Sequence, residues 1–319
     1  MSIYYFILKI LRRIYILLFP IKRKTFVLNR SEADLASDKI YSSLISEKPC
    51  MIARIGATER NVLKNYIAIN SEHRSALDFI TNKSQPWWWN RNILNNFKVW
   101  SGFFPIEIPL VEKYCELVFS DLPEIDIIGS WRLDDDLCKK ELKNAQKVQI
   151  EYLEPFFSNN LWTKALEGKK ILVVHPFQQS IEKQYKKREL LFKNNLLPSF
   201  ELKTIKAVQT VANEKSDFKD WFEALEFMKK QMNQVDYDIA LIGCGAYGLH
   251  LAAHAKRMGK KGFHLAGVLQ MLFGIIGKRW EKPTQANGIY LKLFNEHWTR
   301  PTKDETPKNA HLVESSNYW

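Results

Sequence analysis

Cysteine is scarce in this sequence: Cys50, Cys115, Cys138 and Cys244 are the only four, and no two stand in a C-x-x-C spacing. That argues against a zinc knuckle and against a disulfide framework. With no signal-peptide cleavage site visible, the expected setting is a reducing cytosol. Long apolar runs are missing too. Residues 3–18 are the most apolar stretch, but charge interrupts them and they fall short of the ~20 residues a spanning helix needs. There is no internal repeat and no low-complexity linker, so residues 25–319 read as one domain behind a separate segment, 1–24. A composition 46% hydrophobic and 26% charged is that of an ordinary globular protein, not of a disordered or fibrous one.

Acidic residues are absent from the first 24 positions, which hold Lys9, Arg12, Arg13, Lys22, Arg23 and Lys24. Half of the formal net charge of +12 therefore sits in under a tenth of the chain. A nucleic-acid binder spreads Lys and Arg over a folded face and carries a recognisable module. Neither is found, so nucleic acid is not an expected partner. Wound at 100° per residue, Ile3, Phe6, Ile7, Ile10, Leu11, Ile14, Leu17 and Leu18 fall on one side of a helix, with Lys9, Arg12 and Arg13 opposite. Pro20 ends the pattern and the basic cluster Lys22-Arg23-Lys24 follows. Such a helix fits the surface of an anionic leaflet, which would make the protein peripheral on the inner face of the plasma membrane. The plainer alternative is a helix packed on the protein's own body or on a partner subunit.

Beyond this segment, apolar strand-like runs alternate with helix-like stretches. Strands are expected at Cys50–Ile55, Ile125–Ile128, Val148–Tyr152, Lys170–His175, Phe200–Val208, Asp238–Ile242 and Gly262–Leu265. Helices are expected over 31–46 with Ser31 as N-cap, and over 58–66, 134–145, 180–194, 217–232 and 247–258. Continuous apolar strands between helices imply a Rossmann-like, mostly parallel sheet with helices on both faces. Residues 70–105 show no sustained period. Three adjacent tryptophans, Trp87, Trp88 and Trp89, cannot all enter one core, so at least one should be exposed or lie against a ligand or partner.

Several motifs fall at the carboxyl ends of these strands, where open α/β sheets bind ligands. Gly243-Cys244-Gly245-Ala246-Tyr247-Gly248 is a G-x-G-x-x-G between strand and helix, the context in which such a turn brings backbone N–H groups to a phosphate. The next strand, Gly262 to Gly267, carries no acid for a ribose, which disfavours a plain dinucleotide dehydrogenase. Gly56-Ala57-Thr58-Glu59 closes an earlier strand, with Arg54 two residues before it. His175 closes another and is a candidate proton acceptor or phosphate partner. Lys278 and Arg279 are candidates for clamping a diphosphate. His250 and His254 lack the Glu of a zincin, and Asp134-Asp135-Asp136 reads as a helix-dipole complement. Each motif also has a structural reading: a bare turn, a satisfied core imidazole, a solvated basic loop.

Taken in order, Ile52 to Glu59, Lys170 to Phe177 and Asp238 to His264 resemble the GT-D-type glycosyltransferases, bacterial enzymes encoded with protein-glycosylation and surface-polysaccharide genes. Where that family carries R-F-G-D-G-E, this chain has Arg54 and Glu59 at the Arg and Glu, and Ala57 in place of the Asp. The resemblance implies a nucleotide-sugar donor, a glycan or lipid-linked acceptor, and Glu59 as the residue nearest a divalent metal, Mn or Mg. It implies Glu59 or His175 for the acceptor's proton, and Arg54, Gly56, Gly243, Gly245, Gly248, Lys278 and Arg279 for the donor. Two alternatives stay open: another Rossmann-like enzyme, such as a methyltransferase using S-adenosylmethionine, and a non-catalytic scaffold of the same fold.

Overall fold

The computed structural model describes residues 3–20, 26–131, 137–313 and 316–319. Seven strands, β1 (Cys50–Arg54), β2 (Ile127–Ser130), β3 (Gln146–Gln149), β4 (Lys170–His175), β5 (Glu201–Lys206), β6 (Ile239–Ile242) and β7 (Lys261–His264), form one sheet in the order β3-β2-β1-β7-β6-β4-β5. Every neighbouring pair is parallel. The fold is therefore the Rossmann-like α/β arrangement that the apolar runs imply. Eleven α-helices accompany it among the described residues: α1 (Ile3–Leu18), α2 (Arg30–Ile45), α3 (Ala57–Asn70), α4 (Ala76–Ile80), α5 (Arg91–Ser101), α6 (Ile108–Asp121), α7 (Gln178–Tyr185), α8 (Arg188–Leu191), α9 (Trp221–Asn233), α10 (Gly248–Arg257) and α11 (Leu269–Leu272).

The period-2 alternation of the strands divides the core into two layers. Ile52, Ile127, Ile171, Val173, Ile239, Leu241 and Phe263 face α2, α11 and the C-terminal segment. Met51, Ala53, Ile128, Leu172, Val174, Ala240 and Ile242 face α3, α5, α6, α9 and α10. Both faces are thus covered, as an all-parallel sheet requires. Glycine sets one layer's spacing: a Cβ on Gly262 would overlap the Ala252 carbonyl oxygen, so β7 and α10 approach as closely as backbones can. Behind them, buried Asp121 of α6 bonds buried His250 Nδ1 of α10 at 2.7 Å and pairs at 2.7 Å with Arg257, which is partly exposed and also reaches Glu124. His254 instead bonds Asn233 Oδ1 at 2.7 Å, so the two histidines serve different contacts.

Several local expectations need correction. The cap of α2 is Asn29, whose side chain accepts from the Glu32 amide, not Ser31. The segment expected as a helix at 134–145 begins outside the described residues, which include none of Asp134, Asp135 or Asp136. Its described part, 137–145, is a run of turns. The charged stretch 180–194 breaks into α7 and α8 around Lys186 and Lys187. Residues 70–105 contain α4, only five residues long, and α5, which buries Leu94, Phe97 and Val99 on one side. The C-terminal segment is no loose tail. A succession of 3-10 turns packs Trp280, Tyr290, Trp298, Val313 and Trp319 into the core, and buried Glu305 ties it to α7 by accepting from the Ser180 amide at 3.1 Å.

The tryptophan triplet is also resolved differently. Trp87, Trp88 and Trp89 are all half-buried. Trp88 stacks on Tyr5 of α1 with ring centroids 4.2 Å apart, Trp87 meets Phe79 edge-on, and Trp89 lies by Tyr66. Trp87 and Trp88 thus lie by the chain's own first helix, and Trp89 packs against the core.

Candidate active site

Parallel strands deliver the ends of their chains to one edge, and here that edge holds a cavity of about 330 Å³. Each of the seven strands contributes to its wall just past its last residue. Trp131 follows β2, Ile150, Glu151 and Glu154 follow β3, and Val208 to Val211 follow β5. The remaining rim comes from Phe26, from Trp100 to Gly102 at the end of α5, and from the C-terminal segment, chiefly Arg279, Trp280, Tyr290, Tyr318 and Trp319. The volume is in the range of small-molecule sites.

Most of the sequence-derived candidates meet in this cavity: Arg54, Gly56, Glu59, His175, Gly243, Gly245 and Arg279 all line it. Two do not. Gly248 is buried at the start of α10, where a Cβ would overlap the His264 ring, so its role is packing. Lys278 is exposed and outside the wall; the next residue, Arg279, turns in instead. The first two glycines do serve the turn. Gly245 has φ +56°, and a Cβ on Gly243 would stand 2.6 Å from the Ala266 carbonyl oxygen.

Arg54 ends β1, and its side chain runs between Trp131, whose ring centre is 5.7 Å from Cζ, and Glu154, 3.8 Å from Nη1. Its Nε is buried without a hydrogen-bond partner, which leaves a charged donor for a ligand to satisfy. Arg279 also lines the cavity, with Nη1 donating to Tyr318 Oη at 3.1 Å and Trp280 beside it, and its charge, like that of Arg54, acts on Glu154. Two guanidinium groups lining one cavity suit a diphosphate, since each offers a planar fork of donors.

Glu59 stands in the first turn of α3 with its carboxyl folded over Gly56, a position open to it because Gly56 has no Cβ. Burial raises its pKa, opposed by hydrogen bonds from its own amide and from Ser101 and by the charge of Arg54. His175 takes a different role from the proton acceptor expected. The Phe177 amide donates to its Nδ1 at 3.0 Å, which fixes the proton on Nε2. Burial also pulls its pKa down to about 3. His175 is a neutral hydrogen-bond donor.

Two residues of consequence were not singled out from the sequence. Glu154 is buried, accepts from Tyr290 Oη at 2.6 Å and faces Arg54. Burial raises its pKa to about 7, and neighbouring Glu151 raises it as well. Arg54, the Tyr290 hydroxyl and Arg279 work in the other direction. The available signal was position: Glu154 interrupts the otherwise apolar run Tyr152 to Phe157, just beyond a strand. His264 is the second. It ends β7 and donates from Nδ1 to the Ile242 carbonyl at 3.3 Å, leaving Nε2 as an acceptor on the cavity wall, and burial beside Arg54 lowers its pKa to about 3. The rule that selected His175, a polar residue closing a parallel strand, applies equally to His264.

A divalent cation would need several oxygen or nitrogen donors aimed at one point. Among the described residues no group of three or more His, Cys, Asp or Glu does this. Glu59 is flanked by Ala57 and Thr58, with Arg54 nearby, so this chain's described residues do not fit a metal centre at that position.

Fold and site together define a class: a parallel α/β protein whose strand ends enclose a small-molecule cavity with two arginines, a glycine turn and two protonatable carboxyls. Compared with family models, with curated proteins and with solved structures, the chain matches none.

Proposed function

We propose that the chain is a glycosyltransferase that moves a sugar from a nucleotide-sugar donor to a glycan or lipid-linked acceptor. The observation that carries this reading is the convergence of Arg54, Arg279 and the Gly243–Gly245 turn with Glu154 in one cavity. The order of the Arg54–Glu59, Lys170–Phe177 and Asp238–His264 stretches, which resembles that of the GT-D-type enzymes, adds to it.

The residues divide the chemistry as follows. The acceptor hydroxyl oxygen bonds to the donor's anomeric carbon while the bond from that carbon to the diphosphate oxygen breaks, its electron pair leaving with the phosphate. Arg54, Arg279 and the turn amides hold the negative charge that develops there, a stabilisation worth more inside a water-poor cavity than in bulk water. Glu154 receives the acceptor's proton. A base is most effective with a pKa near the working pH, and Glu154 meets that condition at about 7. His175 Nε2–H and Glu59 then bind rather than react, one as a donor and the other as an acceptor for sugar hydroxyls.

A thermal-shift panel tests the reading, with UDP, GDP, CMP, UDP-sugars, NAD and S-adenosylmethionine, each with and without Mn²⁺. A ligand at a hundred times its Kd adds about 2.7 kcal/mol. Stabilisation by one nucleoside diphosphate and its sugar is the expected result. Stabilisation by S-adenosylmethionine or NAD alone would move the protein to another enzyme class. No response to any ligand would favour a non-catalytic scaffold.

A further inference from the structure

Helix α1 is mounted with its sides reversed relative to an ordinary surface helix. An amphipathic helix normally lays its apolar stripe on the body and turns its charges to water. Here the body side carries the polar and aromatic residues. Arg12 donates to the Ser84 carbonyl at 3.0 Å and to Asn82, with its Cζ 4.5 Å from the Phe79 ring centre. Tyr5 stacks on Trp88, and Leu8 is the one described α1 residue that is buried. The opposite arc, ~140° wide at 100° per residue, is apolar throughout. On it Phe6, Ile10, Ile14 and Leu17 are each between 40% and 80% exposed.

From this mounting we infer that α1 is a built lipid-facing surface, and that its occupant is a bilayer containing acidic phospholipid. Charge decides between a bilayer and a second copy of the chain. Symmetric pairing through the outward arc would bring exposed Arg13 at its edge, and a basic sequence Lys22-Arg23-Lys24 with no acid in the first 24 residues, toward their own copies. An anionic leaflet attracts the same residues. No described helix is long and apolar enough to cross a membrane, which fits a helix lying in the interface. The surface also stands near the site. Phe26 lines the cavity, and the eight residue steps from Leu18 to Phe26 can extend at most ~29 Å. Leu18, at the end of α1, therefore lies within that distance of a residue of the cavity wall.

The inference needs no catalytic activity for its test. Full-length protein would be floated with vesicles of phosphatidylcholine alone and of phosphatidylcholine with phosphatidylglycerol. The partner variant is Phe6→Ser/Ile10→Ser/Leu17→Ser, whose three positions are on the outward arc, with its melting temperature compared to confirm folding. Binding to the acidic vesicles, about tenfold or more weaker on neutral ones, and falling about a hundredfold or more in the folded variant, is expected. Wild-type protein that ignores acidic vesicles would overturn the inference, as would undiminished binding by the variant. So would light scattering that finds a wild-type dimer which the same three changes separate into monomers.

Discussion

Replacing Glu154 by Gln separates the carboxyl's charge from its shape. In the folded protein this group holds its proton up to about pH 7, against an ordinary value of 4.5. Between those values the native state binds the extra proton, so stability must fall as pH rises through that window and level off above it. At 1.36 kcal/mol per unit, a shift of about 2.5 units makes the ionised carboxylate cost about 3 kcal/mol at pH 8. Gln keeps the Tyr290 hydrogen bond without the charge and recovers most of that amount. With unfolding entropy of ~2.1 cal/mol/K per residue over the whole chain, the gain corresponds to ~5 °C in Tm. The assay is a pair of melting curves for wild type and Glu154→Gln from pH 5 to 9. The two should nearly coincide at pH 5 and diverge in favour of Gln up to pH 8. A variant less stable than wild type above pH 7 would refute the reasoning, because it would mean that Arg54 and Tyr290 stabilise the carboxylate by more than burial penalises it. In the same variant transfer should drop about 10²- to 10⁴-fold, and the wild-type rate should rise with pH through about 7.

Glu59→Gln should keep the fold and lower transfer about 10- to 100-fold, as expected for loss of a charged hydrogen-bond acceptor; unchanged kcat/KM would remove Glu59 from the site. Gly56→Ala should reproduce part of that loss, because the added methyl occupies the place of the Glu59 carboxyl, while the melting temperature changes little. Gly243→Ala is expected to destabilise by about 1–3 kcal/mol, since its Cβ would stand 2.6 Å from a backbone oxygen and 2.8 Å from His175 Cδ2; chemical denaturation measures it. Asp121→Ala removes the buried hydrogen-bond partner of His250 Nδ1, which costs about 1–3 kcal/mol for a buried group left unpaired, while Arg257 keeps Glu124. An Asp121→Ala protein as stable as wild type would show that the pair contributes little to the α6–α10 contact.

The central strands were legible because a parallel sheet covered on both faces favours apolar side chains there, and Ile171-Leu172-Val173-Val174 is such a run whatever surrounds it; the polar edge strand β3 was not, and it lies at Gln146–Gln149 where Val148–Tyr152 was expected. The turn glycines were legible for the same kind of local reason: Gly243 and Gly245 follow a strand directly, so their place at the sheet's carboxyl edge is set by chain order. The outward apolar side of α1 was likewise a matter of periodicity. Tertiary structure decided the rest. Glu154 acquires its pKa from Arg54, Tyr290 and burial, groups 100 and 136 residues away in the chain for the two side chains. The tautomer of His175 is set by one hydrogen bond, from the Phe177 amide to Nδ1. Lys278 and Arg279 are indistinguishable as neighbours in a basic loop, and the turn alone sends one to water and the other into the cavity. That the tryptophan triplet would leave a ring exposed or against a partner followed from its sequence, but that Trp87 and Trp88 would lie by Tyr5 of α1 did not. Local patterning follows from covalent neighbours and the avoidance of water, both written along the chain. Proton affinity and side-chain direction depend on what lies within a few ångströms, and only the folded chain brings those groups together.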